Sequence, residues 1–140
     1  MTYGGATVPG FTFGYDTVNS KFLIRLCDGT NRVQLMPAYS PDALCGGWNH
    51  IAVVVDRSAA VYSIKVYVNF ELLFESKLNL YNSSTIFPAD STADSGALTI
   101  GQYAGGAYPT PPKGLFDDFI FLRDVLTDAD IAALKEFYEK

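Results

Sequence analysis

Trp48 and His50, the chain's only tryptophan and only histidine, stand two residues apart in the run WNH. A histidine can serve as a general base, but nucleophilic catalysis also needs a nucleophile and an orienting carboxylate. The sequence holds no G-x-S-x-G elbow and no cysteine in a catalytic setting. Carboxylates raise a second chemistry. Glycoside hydrolysis needs two of them about 5–5.5 Å apart for retention, or about 6.5–9.5 Å for inversion. A strand would present such groups on one face as E-x-D-x-E, because side chains alternate. Here Glu71 and Glu75 have Leu73 between them, and the neighbours Asp117 and Asp118 would point to opposite faces of a strand. Neither arrangement is the hydrolase pattern, so the chain reads as non-catalytic.

Binding chemistry is better supplied. Sugar recognition uses an aromatic ring against the C–H face of a pyranose and planar polar groups for paired hydrogen bonds. Tyr39, Trp48, Tyr103 and Tyr108 offer rings, while Arg25, Asn31, Gln34, His50 and Gln102 offer polar groups. Calcium is the ion to expect, since it takes carboxylate and carbonyl oxygens from loops, where Asp90, Asp94, Asp117 and Asp118 are available. Asp117 is the first choice and Asp118 the second. With one histidine and two cysteines, Cys27 and Cys45, outside a C-x-x-C spacing, a zinc centre is not expected. The two cysteines fit either a disulfide or two semi-buried thiols.

These residues need a frame, and its period is two. Phe22, Ile24 and Leu26 alternate with Leu23, Arg25 and Cys27. The turn DGTN follows, and a second arm through Val33 and Leu35 makes a hairpin that sets Arg25 and Gln34 side by side, away from the core. From Trp48 to Asp56 another strand puts Ile51, Val53 and Val55 on one face and Trp48, His50, Ala52 and Val54 on the other. IKVYV and ELLFESKL complete a three-stranded meander. Residues 79–96 read as a long surface loop, ALTIGQYA as a short strand and GGAYPTPPKG as a Pro-stiffened loop. GLFDDFIFLRDV, apolar on both faces, reads as a central strand. The tail LTDADIAALKEFYEK changes to helical period, with Thr127 as cap and Asp130 at the third helical position.

Composition fits one domain over residues 1–140. The 140 residues are 49% hydrophobic and 14% aromatic, enough for a single core. The net charge of −5 and scattered basic residues argue against nucleic acid. No apolar run approaches the roughly 20 residues of a membrane span, and MTYGGATVPG has no signal-peptide pattern.

The motif order W-x-H-I-A-V-x-x-D, then VYVN, then LTIG, then KGLFDDFIFLRDVLTDADIAAL resembles the laminin-G-like, concanavalin A-like jelly-roll domains over about Phe11 to Tyr138. The resemblance implies an all-β, antiparallel two-sheet sandwich with one short C-terminal helix. It further implies a concave face and rim loops that bind carbohydrate, often beside calcium, in an extracellular, cell-surface or virion-appendage protein. Two departures stand out. The family's V-N-G turn has Phe70 in place of glycine, which requires another turn or a left-handed Asn69 and leaves Phe70 as an exposed aromatic. The family's members usually begin with further strands ahead of the position of Met1, so an open sheet edge is expected to favour association with another chain or a second copy. Two functions are therefore in view, a glycan-binding module and a structural or assembly domain. A binding module should gather Arg25, Gln34 and His50 around one open groove.

Overall fold

The computed structural model describes residues 2–3, 6–7, 10–16, 18–27, 32–56, 62–78, 115–122 and 124–139. They fall in two compact units, Met1–Asp90 with Val125–Lys140, and Ser91–Asp124. In the first unit β1 (Thr2–Tyr3) pairs with β2 (Ala6–Thr7). β3 (Gly10–Asp16), β4 (Lys21–Cys27) and β5 (Arg32–Leu35) form an antiparallel sheet in that order. The alternation of β4 decides its faces, since Phe22, Ile24 and Leu26 are buried while Leu23 and Arg25 are only partly so. Beyond β5 the chain stays beside β4, where the Phe22 amide donates to the Pro37 carbonyl at 2.9 Å and the Tyr39 amide to that of Ser20 at 3.0 Å. A four-residue helix, α1 (Pro41–Leu44), follows.

β6 (Ile51–Asp56), β7 (Tyr62–Val68) and β8 (Glu71–Leu78) make the second sheet, the meander expected from the sequence. The two sheets close on one core. Ile24, Leu26 and Val33 of the first meet Ile64 and Val66 of the second, with Leu35, Val53, Val55, Leu73 and Phe74 packed around them. Ile64 and Val66 lose all their exposure, and each such side chain stabilises the fold by roughly 1.5–3 kcal/mol. A bulge lies in β8, because Val66 pairs with Phe74 but Tyr67 with Leu72. The extra residue, Leu73, lets two consecutive side chains of β8 reach this core.

The outer face of the second sheet is covered as well. α2 (Asp128–Tyr138) begins at Thr127, whose hydroxyl accepts the Asp130 amide while the Asp130 carboxylate accepts the Thr127 amide. This is the capping box read from the sequence. Ile131 seats α2 on Val54 and Tyr67, with Ala52, Phe70, Leu126 and Leu134 around them. At the helix start the Asp128 carboxylate accepts from Lys65 at 2.8 Å and from the Tyr67 hydroxyl at 2.5 Å. These two bonds hold the Asp128 carboxyl below its ordinary value.

Some expectations change. β3 was not read from GFTFG, where glycines interrupt the apolar alternation. β6 starts at Ile51, so Trp48 and His50 lie just ahead of it. GLFDDFIFLRDV is expected as a central strand, yet its described residues 115–122 carry no strand pairing among the described residues, and their large apolar side chains are 52–82% exposed. The local reason is Asp118, which sits at φ +48° with its amide bonded to the Asp117 carboxylate at 2.9 Å. Such a bend interrupts an extended run. Cys45 is an exposed free thiol, against both the paired and the semi-buried expectation for it. The expected loop at 79–96 and the strand ALTIGQYA lie outside the described residues.

Candidate functional site

Arg25 and Gln34 face one another across β4 and β5 and are hydrogen-bonded, Arg25 Nε donating to Gln34 Oε1 at 2.9 Å. Gln34 Nε2 lies 3.2 Å from Met36 Sδ, and Thr12 of β3 pairs with Arg25 from the other side. A polar row thus crosses the outer face of the first sheet. Sequence reading missed Thr12, whose signal was the G-x-T-x-G alternation of β3. Gly14 leaves open space beside it, with nothing within 4 Å of a Cβ there.

His50 is not part of that row. Its ring stacks on Phe70 at a centroid distance of 4.2 Å and lies 5.8 Å from Tyr138, on the α2-covered side of the second sheet. The sandwich separates it from Arg25 and Gln34, so the single groove expected for these three residues is not formed. Strand parity alone could not tell one outer face from the other. Tyr39 also stands apart. Its ring lies 5.4 Å from the buried Phe22, and its carbonyl accepts the Tyr15 hydroxyl at 2.6 Å. Tyr103 and Tyr108 lie outside the described residues.

A different cluster forms at one end of the second sheet. The β7–β8 hairpin turns on Asn69 and Phe70, both left-handed at φ +50° and +67°. Two positive φ values define a type I′ turn, whose second position favours glycine. Asparagine tolerates this region, but a phenylalanine there is strained. Asn69 earns its place with its side chain. Its Oδ1 accepts the His50 amide at 3.0 Å, its Nδ2 donates to Asn49 Oδ1 at 3.0 Å, and its own amide donates to the His50 carbonyl at 2.8 Å. Asn49 in turn donates to the carbonyls of Leu44 and Gly47. This network fixes the loop on which Trp48 stands 69% exposed. Phe70 is half-buried rather than the exposed aromatic expected, because it leans on His50 and lies 6.2 Å from Tyr138. Phe137, 71% exposed, meets Tyr138 edge-on at 5.2 Å and extends the row of rings outward.

Burial holds the His50 imidazole below its ordinary value of 6.5, and its Nδ1 is buried without a hydrogen-bond partner among the described residues. The neutral ring is therefore the form that packs. In the window below pH 6.5 the unfolded chain binds more protons than the folded one, so stability is full above that pH and declines as pH falls through the folded value. Urea denaturation between about pH 7 and pH 5 should show this decline, and His50→Phe should flatten it.

Glu71 and Glu75 do not come together as a hydrolase pair. Glu71 pairs with Val68 and Glu75 with Lys65, and the intervening bulge leaves them on opposite faces of β8. A 280 Å³ cleft beside α2 is lined by Asp56, Ser63, Lys65, Thr127 and Asp128 among others. Its Asp128 is held in the ionised form, unsuited to donate a proton to a leaving group. For calcium, Asp117 and Asp118 supply adjacent carboxylates, one of them bonded to the Asp118 amide. No three His, Cys, Asp or Glu side chains come together as a metal site among the described residues. Calcium takes about six to eight oxygen ligands, so this pair does not by itself fit the ion.

Comparison with known proteins bears on what such a sandwich is for. A laminin G family model described as "Concanavalin A-like lectin/glucanases superfamily" matches residues 1–132. The chain belongs to this concanavalin A-like superfamily. Its two facing antiparallel sheets and C-terminal helix agree with that membership. No curated protein matches this concanavalin A-like chain. Among solved structures, it is similar to the 2.1 Å crystal structure of an S-layer domain-containing protein (residues 221–444) from Clostridium thermocellum ATCC 27405. The two are 17% identical with a TM-score of 0.47, and the match covers 91% of this chain and 64% of that one. No described helix is long and apolar enough to cross a membrane.

Proposed function

We propose that the chain is a non-catalytic glycan-binding module of an extracellular, cell-surface or virion-appendage protein. Its main contact surface is the aromatic end formed by Trp48, Phe70, Phe137 and Tyr138. The observation that carries this reading is the exposure of Trp48 two residues before His50, whose own ring stacks on Phe70 and lies near Tyr138. Rings held rigidly at a surface can cover the apolar face of a sugar with little loss of side-chain entropy. The Asn49–Asn69 network supplies that rigidity. Arg25 and Gln34 are proposed as a separate polar contact on the other outer face, and Tyr103 and Tyr108 as loop contacts. The ring contacts proposed here need no ion, so sugar binding through them is expected to survive a chelator. Calcium at Asp117 and Asp118 is a separate proposal that needs ligands from outside the described residues.

A glycan-array screen of the chain tests the reading. Trp48→Ala is expected to weaken binding at least about tenfold, the loss typical of a truncated aromatic anchor. Phe70→Gly separates strain from contact. Glycine relieves about 1–2 kcal/mol of left-handed strain and gives up the packing on His50, so stability should stay within about 1 kcal/mol of the parent. Glycan affinity should nevertheless fall, and calorimetry with thermal melts checks both halves of this expectation.

A second reading, assembly with another copy or another chain, is favoured by one observation. Leu115, Phe116, Phe119, Ile120, Phe121 and Leu122 are exposed apolar side chains interrupted only by Asp117 and Asp118, and such patches mark interaction surfaces. A stable multimer in light scattering, together with no glycan binding, would favour it.

A further inference from the structure

We infer that the aromatic end takes a glycan whose contacting sugar carries a free ammonium group, in preference to its N-acetylated or acidic counterparts. The inference rests on the glycan-binding reading above and adds the charge class of the ligand.

Three rings, Phe70, Tyr138 and Phe137, adjoin one another at this end, and Trp48 is exposed on the loop two residues before His50. The faces of such rings attract cations as well as C–H groups. The charges around them are mostly negative. Glu71 follows Phe70 directly, and Glu136 and Glu139 flank Phe137 and Tyr138, all three exposed. Lys135, the basic residue in the last turn of α2, lies 3.8 Å from Glu139 and offsets that one charge, which leaves Glu71 and Glu136 in excess. The C-terminal end of α2 adds the negative pole of the helix dipole at the same place. His50 does not reverse this balance, because burial keeps it neutral near pH 7. The whole chain carries a net charge of −5, so a sulfated or uronic-acid glycan meets repulsion both locally and at long range.

An ammonium over an aromatic face, with carboxylates close by, should gain about 3- to 10-fold in affinity over the same sugar with its amine acetylated. This gain is electrostatic and exposed to solvent, so it should largely disappear in about 0.5 M salt.

The test is calorimetry of the full chain with four probes: a glucosamine trimer, an N-acetylglucosamine trimer, a galacturonic acid trimer and a lysine tripeptide. The expected order is glucosamine first, N-acetylglucosamine next and galacturonic acid last, with the first gap closing at high salt. The double variant Glu136→Gln, Glu139→Gln should bring the ratio of the first two toward one, and Trp48→Ala should weaken both. Equal binding of the first two, or tightest binding by galacturonic acid, overturns the charge class while leaving glycan recognition standing. A lysine tripeptide that matches the glucosamine trimer shows a site for cationic peptide and overturns the inference. Absence of binding by every saccharide removes the glycan reading and this inference together.

Discussion

Phe22→Ala is expected to destabilise the fold by about 3–5 kcal/mol, the usual cost of deleting a buried phenyl ring. Phe22 is 1% exposed. Its ring is surrounded by Phe13 at 5.5 Å and Tyr15 at 5.4 Å, both from β3, and by Tyr39 at 5.4 Å from the segment after β5. These neighbours are themselves tied, since the Tyr15 hydroxyl donates to the Tyr39 carbonyl at 2.6 Å. They cannot easily collapse into the space left behind, so the cavity term should be close to full. Against a total stability of about 5–15 kcal/mol for a domain, this one change brings the fold near its limit. Equilibrium urea unfolding measures it. A loss below about 1 kcal/mol would mean that the ring does not hold the first sheet together.

Ile131→Ala is expected to cost about 2–5 kcal/mol and, unlike Phe22→Ala, to act directly on the proposed site. Ile131 is 2% exposed and is the buried residue through which α2 rests on Val54 and Tyr67. The Lys65–Asp128 ion pair and the Thr127 capping box survive the substitution, but they are solvent-exposed and do not replace a buried apolar contact. With α2 loosened, Phe137 and Tyr138 lose their fixed position beside Phe70 and His50. Glycan affinity should therefore fall in step with stability, whereas Gln34→Ala on the other outer face should leave α2 undisturbed. Affinity preserved in a folded Ile131→Ala variant would show that α2 takes no part in recognition.

Much of this frame could be read from the chain because its signals are local. The β4–β5 pairing of Arg25 with Gln34 follows from period two around a turn, and the start of α2 follows from Thr127 and Asp130. What escaped depended on placement in three dimensions. His50 shares a strand side with Ala52 and Val54, but nothing in the strand says that a helix from the end of the chain covers that side. The bulge at Leu73 also has no sequence mark, yet it moves Glu71 and Glu75 to opposite faces. Phe70 could be recognised as a departure from a glycine position, but its left-handed φ and its stack on His50 are properties of the folded turn. In Leu115–Leu122 a local Asp117–Asp118 bond overrode strong strand composition.

The most direct test of glycan recognition at the aromatic end is an array screen comparing the chain with Trp48→Ala, since the chain contains a single tryptophan and each hit can be titrated by its fluorescence. Saturable binding that perturbs Trp48 emission and is lost in Trp48→Ala is the predicted result. Binding that ignores the substitution, or no binding at millimolar glycan, would contradict it.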